Sequence, residues 1–497
     1  MRVLMLGWEF PPFITGGLGT ACYGLTRAMS ARGTEISFVL PKYVGSDYTE
    51  HVKLLTPQSK RAADGDRAPQ AVASTFKFKP DPKPTPTDRE GKEAFRNVVF
   101  KAVPSHMASV YPGGGLQYTP TGTRKAEGIG FIHAKPPSVA QAVPESTQSG
   151  TALLNNSNHE IATNSSASAP PPASLPAAPD IGYSGDLFGE AHRYADLCLD
   201  LSKGEDFDVI HAHDWLTFPA AQALSKATSK PWIAHVHSTE YDRAGEGANL
   251  DIVQYEKAGV LSADRVIAVS EFTRKILINR YGVDQSRCDV VYNGVEQTIN
   301  NGTEKTRPVT PPAGIKKDEK VVLYLGRVTM QKGPEYFIAA AKKVLEKMDN
   351  VKFVVAGSGD QIERTIEQAA KAGIGSKITF TGFLHREDVR RVYEMADVYV
   401  MPSVSEPFGI APLEAIAHNV PVIISRQSGV SEVLEHALKV DFWDTHDIAN
   451  KIIAVLRHPP LSKTMREQAD LEVRELTWDG AAKKCEAVYD GLADAKV

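Results

Sequence analysis

Two runs of alternating strand and helix patterns, one opening at Arg2 and the other near Val321, constrain the fold of this chain most. "RVLMLGW" at 2–8 is a short unbroken apolar run of the kind that strands buried on both faces show. Leu18, Ala21, Cys22, Leu25, Ala28 and Met29 then recur at helical spacing, Gly33 is placed to end that helix, and "EISFVLP" reads as a second strand. A strand, helix and strand in this order form a right-handed crossover and imply a parallel sheet. The alternation resumes at about residue 187 and continues through the strands "DVIHAH", "WIAHVH", "RVIAVS" and "DVVYNG". A second run begins with "VVLYLGRV" and passes through "KFVVAG", "ITFTGF", "DVYVMPS" and "VPVIIS". The prediction is an α/β protein of two doubly wound domains facing each other across a cleft at the carboxyl ends of their strands, where such sheets bind ligands.

Breaks in the pattern set the expected boundaries. Residues 57–90 carry six prolines, and 134–180 is rich in Pro, Ala, Ser, Thr and Asn with few large apolar side chains. Both read as low-complexity insertions in an N-terminal domain spanning 1–300. The polar stretch 301–320, with Pro308, Pro311 and Pro312, reads as a linker. The C-terminal domain follows over 321–475, and 476–497 reads as a last helix that crosses back to the N-terminal domain. A net charge of −4 leaves no electrostatic footprint for nucleic acid. The four cysteines, Cys22, Cys198, Cys288 and Cys485, show no Cys-x-x-Cys spacing, which fits a reducing, cytoplasmic setting. No apolar run approaches the 18 or so residues of a membrane span.

Four stretches carry candidate chemistry. "TGGLG" at 15–19 puts Gly16 and Gly17 between the first strand and its helix, where backbone N–H groups approach an anion; a plain tight turn needs the same residues. "GRVTMQKG" at 326–333 brings Arg327 and Lys332 to a strand end, a fork and a point charge that suit a diphosphate as well as they suit a solvated loop. "EPFGIAPLEA" at 406–415 sets Glu406 in a loop and Glu414 about one turn into the next helix. The N–H groups of Phe408, Gly409 and Ile410 lie between the two acids. Acceptors flanking donors match a nucleotide sugar, with its many hydroxyls and two phosphates; a capping acid and a solvated helix acid are the plainer alternative. Finally, "HAHDW" at 211–215 and "HVHSTE" at 235–240 close two strands, and each alternating pair shares a face. Asp214 and Glu240 are compatible with a metal, but no His-Glu-x-x-His helix or cysteine pair supports one, so no metal is expected. Among these histidines His237, which leads into a loop at a carboxyl end, is the candidate for chemistry.

Together these motifs, with "VSEFT" at 269–273 and "YNGV" at 292–295, resemble the retaining glycosyltransferases of GT-B fold, near the glycogen and starch synthases and family 4. The resemblance covers the chain apart from its insertions, and it implies two Rossmann-like domains and no cofactor beyond an ADP-, UDP- or GDP-sugar donor. It implies that Arg327 and Lys332 hold the diphosphate, Glu406 the sugar hydroxyls and Glu414 the ribose, and that His237 sits near the anomeric carbon. Phe408, Gly409 and Ile410 would assist through their main chain, and Gly16 and Gly17 would pass close to the diphosphate. The expected activity is hexose transfer, glucose first, to a carbohydrate acceptor such as an α-glucan. Another family 4 acceptor, a GT-B sugar-nucleotide epimerase and a non-catalytic binding protein remain as alternatives. Ile14 stands where glycogen and starch synthases carry a lysine.

Overall fold

The structure, a computed structural model, describes residues 1–10, 17–41, 98–102, 132–133, 187–296, 318–384 and 386–494. The insertions expected at 57–90 and 134–180, most of the 301–320 linker, Ile14 and Gly16 lie outside them.

The N-terminal half runs β1 (Arg2–Leu6), α1 (Gly17–Ala31), β2 (Glu35–Leu40), β3 (Val98–Ala102), β4 (Ile132–His133), α2 (Leu187–Ser202), β5 (Val209–His213) and α3 (Phe218–Thr228). It continues with β6 (Trp232–Val236), α4 (Glu240–Ala244), α5 (Leu250–Ser262), β7 (Arg265–Ala268), α6 (Glu271–Ile276) and β8 (Cys288–Val290). Its sheet has the order β3-β2-β1-β5-β6-β7-β8, parallel throughout. Alternate residues feed two cores. Leu4, Leu6, Ile210, Ala212 and Ala234 pack with Tyr194, Cys198, Phe218 and Leu224 of α2 and α3. Val3, Met5, Val209, Ile233 and Ile267 face the opposite layer, where Cys22, Leu25 and Met29 of α1 wait. Helices on both faces are the reason these strands read as unbroken apolar runs.

The C-terminal half repeats the scheme with β9 (Lys320–Leu325), α7 (Pro334–Leu345), β10 (Val351–Ala356), α8 (Ile362–Lys371), β11 (Ile378–Gly382), α9 (Arg386–Glu394) and β12 (Val398–Met401). Then come α10 (Ile410–Ala417), β13 (Val422–Ser425), β14 (Leu438–Val440), α11 (Thr445–Arg457), α12 (Pro459–Glu475) and α13 (Trp478–Asp494). Strands β14-β13-β12-β9-β10-β11 are parallel, and β4 from the N-terminal half adds to β11 antiparallel.

Helix α13 leaves the C-terminal half and lies on the N-terminal sheet. Trp478, Ala481, Ala482, Cys485 and Tyr489 join Val3, Met5, Ile233 and Ile267 in one core. A β-carbon on Gly24 would stand 2.2 Å from the Trp478 indole, so that glycine makes the room for the docked ring. The Glu486 carboxylate fixes the register by accepting from Arg32 Nε at 2.7 Å and Thr34 Oγ1 at 2.6 Å.

The two halves also meet directly at their carboxyl edges. Ser270, just past β7, donates to the Pro407 carbonyl just past β12 at 2.5 Å. Glu432 accepts the first main-chain N–H groups of α6, Glu271 at 2.9 Å and Phe272 at 2.6 Å, capping a helix of one half from the other. These contacts bring the β12–α10 loop over the N-terminal strands.

Candidate active site

The loop after β9 closes with a tight turn. Gly333 has φ 62° and precedes Pro334 at the first position of α7. A β-carbon there would stand 2.2 Å from the Pro402 carbonyl, so only glycine allows this loop to press against the end of β12. Val404 N–H donates to the Gln331 carbonyl at 2.9 Å and holds the two loops together. The consequence is that Lys332 Nζ meets Glu406 Oε2 at 2.6 Å, with both side chains largely covered. Arg327 lies in the same loop, partly buried, and its carbonyl accepts from the Tyr324 hydroxyl at 2.9 Å.

Glu406 is held by its main chain as well. Its N–H donates to the Gln427 carbonyl at 2.9 Å, and its carbonyl accepts from Gly429 N–H at 2.9 Å, a parallel bridge to the loop after β13. Three residues on, Gly409 adopts φ 107°, a conformation open to glycine, and α10 begins without a side-chain cap. Phe408 is buried against Tyr292 of the N-terminal half, with ring centroids 5.9 Å apart, and its carbonyl accepts from Val430 N–H at 2.7 Å. Ile410 opens α10, so the positive end of that helix faces the loop between the acids. Glu414 is half-buried and accepts from the Tyr393 hydroxyl at 3.1 Å. Gly17 is the exposed first residue of α1, with open space where a side chain would stand.

Across the cleft, His237 follows β6. Its main-chain N–H donates to Asp214 Oδ1 at 2.7 Å, and Ser238 N–H donates to the same oxygen at 3.3 Å. Asp214 is buried and has φ 59°, strained for a residue with a β-carbon, so the end of β5 is bent to hold the end of β6. Burial pushes the Asp214 carboxyl up to about 7, against the two N–H donors and Arg243, which favour its charge. The His237 ring joins His213 through Nε2 and Nδ1 at 2.9 Å, and burial pushes its pKa down to about 3. The ring's other nitrogen, Nδ1, is buried without a hydrogen-bond partner.

One contact ties the two sides together. Thr239 and Asp242 form a reciprocal capping box that starts α4, and Asp242 Oδ1 accepts from Ser405 Oγ at 2.7 Å. The His237 loop is thereby fastened to the Glu406 loop. Arg243 adds an ion pair with Glu240 at 2.9 Å and another with Glu256 at 2.6 Å beneath it. The sequence pattern singles out neither Asp242 nor Ser405 and marks Asp214 only as an acid compatible with a metal. The Thr-x-x-Asp spacing of "TEYD" is a visible capping signal for Asp242, whereas nothing local marks Ser405 or the part Asp214 plays in holding the end of β6. The structure brings Lys332 into contact with Glu406, where the sequence suggested two separate pairs of opposite sign.

The comparisons agree with this architecture. Residues 308–471 match the model for glycosyl transferases group 1, 163–298 that for glycosyltransferase family 4, and 2–79 that for the starch synthase catalytic domain. The chain is 30% identical over 497 residues to a glycogen synthase of Mycobacterium tuberculosis, covering 98% of this chain and 94% of that one. It is 33% identical over 296 residues to an uncharacterised glycosyltransferase of Methanocaldococcus jannaschii, covering 57% of this chain and 75% of that one. Among solved structures it resembles sucrose-phosphate synthase from Thermosynechococcus elongatus, with TM-score 0.62, 18% identity and full coverage of both chains. It also resembles Anabaena HepE in complex with UDP-glucose, with TM-score 0.59, 14% identity, and coverage of 99% of this chain and 100% of that one. The chain is an enzyme of the GT-B glycosyltransferases and belongs to their group 1 and family 4 lineage, with a starch synthase-like N-terminal segment.

Proposed function

We propose that this enzyme is a retaining, metal-independent glycosyltransferase that moves a hexose, glucose first, from a nucleotide diphosphate sugar to an α-glucan. The observation that carries the reading is the covered Lys332–Glu406 pair at 2.6 Å, fastened to the His237 loop by the Ser405–Asp242 bond. A cation and an acid in contact at a sheet edge are poised to exchange each other for a phosphate and a sugar hydroxyl. In this reading Arg327 and Lys332 hold the diphosphate, and Glu406 turns to the sugar hydroxyls. Glu414 takes the ribose hydroxyls that the Tyr393 hydroxyl now stands in for. The N–H groups of Phe408, Gly409 and Ile410 assist, Gly16 and Gly17 approach from the N-terminal domain, and His237 faces the anomeric carbon.

The chemistry follows from charge. The bond between the anomeric carbon and the phosphate oxygen breaks, leaving an oxocarbenium-like sugar and a diphosphate with one more negative charge. An acceptor hydroxyl bonds to the anomeric carbon on the face the diphosphate leaves, and its proton passes to the departing phosphate oxygen. Fixed cations aimed at that oxygen stabilise the transition state more than the ground state. Closure of the two halves excludes water that would otherwise hydrolyse the donor.

Glucan as acceptor is favoured by the end-to-end likeness to a glycogen synthase. A small sugar-like acceptor is the second reading. It is favoured by likeness to a mannosylfructose-phosphate synthase of Agrobacterium fabrum, 26% identical over 317 residues, covering 58% of this chain and 69% of that one. Among the described residues no helix is long and apolar enough to cross a membrane, and we place the reaction in the cytoplasm, where reduced cysteines persist. Incubation with ADP-, UDP- and GDP-glucose, with and without glycogen, tests the assignment through release of nucleotide. Glycogen-dependent release supports it. Release that ignores glycogen but rises with a small sugar phosphate favours the second reading, and no turnover of any donor removes both.

A further inference from the structure

The two His-x-His pairs come together as one cluster. His211 and His213 on β5 and His235 on β6 point to the sheet face beneath α1 and α13, with His213 directly beside His235 in the register, and all three are at most 2% exposed. One ring nitrogen from each lies within 4.8 Å of the other two. His211 Nε2 is 3.0 Å from His235 Nδ1. His213 Nε2 and His235 Nε2 are buried and have no hydrogen-bond partner. Two polar nitrogens left unpaired and buried call for an occupant that accepts their lone pairs.

The outer nitrogens are prepared in the way ligating histidines are. His211 Nδ1 meets the Tyr489 hydroxyl at 2.5 Å, and His213 Nδ1 meets His237 Nε2 at 2.9 Å. With Nδ1–H donating in both, the Nε2 lone pairs turn inward, and each ring is oriented by a partner behind it. Burial pushes His211 down to about 3 and holds His213 and His235 well below the ordinary histidine range, so all three rings are neutral. Neutral imidazole is the form that binds a metal.

We propose that His211, His213 and His235 form a three-histidine site for a first-row transition-metal ion such as Zn²⁺ or Co²⁺, pinning β5 to β6 one layer beneath His237. Metal–nitrogen bonds of about 2.0–2.1 Å set ligating nitrogens roughly 3.4 Å apart, inside the 4.8 Å that spans one ring nitrogen from each of the three. Three imidazoles with no carboxylate among the ligands select such ions over Mg²⁺ or Ca²⁺. The site shares no residue with the proposed diphosphate contacts Arg327 and Lys332, and it touches the proposed transfer chemistry only through the His213–His237 contact.

The test is to strip the full-length chain with chelator, add Co²⁺, desalt, and measure retained metal together with the visible ligand-field spectrum. The expected result is one equivalent retained with bands of nitrogen-bound cobalt, and a higher Tm with Zn²⁺ than with chelator. His211→Phe and His235→Phe should lose both signals. His436→Gln, which alters an exposed histidine paired with Glu472, should keep them. If the unmodified chain retains no cobalt, the proposal fails, and this measurement stands even where a variant does not fold. Retention that survives His211→Phe and His235→Phe overturns it equally.

Discussion

Lys332 and Glu406 are 74 residues apart in sequence and 2.6 Å apart in space. Replacing Lys332 with Ala leaves a largely covered carboxylate without its cation and takes a positive charge from the proposed leaving group. The expected outcome is a fall in kcat/KM of about 10²–10³-fold with an unchanged circular dichroism spectrum. Adding Glu406→Ala should cost less than the product of the two single losses, because the pair acts as a unit. Asp214 makes a different prediction. Asparagine tolerates its φ of 59° and still offers an oxygen to His237 N–H, so Asp214→Asn should keep the Tm within a degree or two. Asp214→Ala loses both accepted bonds and should cost about 1–3 kcal/mol in denaturant unfolding. The four thiols are all buried, and burial pushes all four well up from the ordinary thiol range, Cys288 to about 12. Thiol reagents should therefore label the native described core slowly and the urea-unfolded chain fully.

At the level of elements, the bond between Ser405 on the β12–α10 loop and Asp242 on α4 joins the halves. Ser405→Ala removes it while Asp242 keeps its capping box with Thr239. A loss of about 1–2 kcal/mol from the closed form should raise the donor KM roughly 5- to 30-fold and spare kcat. An unchanged KM would show that this bond does not bias closure. The strands and helices themselves were legible, because two-sided burial writes unbroken apolar runs and amphipathic helices write a 3.6-residue period. The position of Glu406 at a loop and of Glu414 inside α10 followed from the same patterns. The bridge from Glu406 to Ser428 was not legible, since it depends on the spatial order of β12 and β13 and leaves no periodic trace. Nor was β4, a two-residue antiparallel addition too short to carry a pattern.

For the whole molecule, α13 makes the two halves one unit. The sequence leads one to expect a final helix crossing back to the N-terminal domain, but not its seat, which depends on the pocket beside Gly24 and on the apolar underside of the N-terminal sheet that form only once the chain has folded. Each large side chain buried there contributes about 1.5–3 kcal/mol, and Trp478, Cys485 and Tyr489 together rival a net stability of about 5–15 kcal/mol. A chain ending after Leu476 should therefore fail to accumulate as soluble protein; soluble, cooperatively unfolding material would show that the helix is dispensable. The proposed function places a nucleotide sugar between the 326–333 and 406–414 loops with His237 opposite. A crystal structure with a bound nucleotide diphosphate sugar tests it most directly. The expected result is the diphosphate within hydrogen-bond distance of Arg327 and Lys332 and the sugar hydroxyls on Glu406. A ligand bound elsewhere, with the Lys332–Glu406 pair intact and untouched, would contradict it.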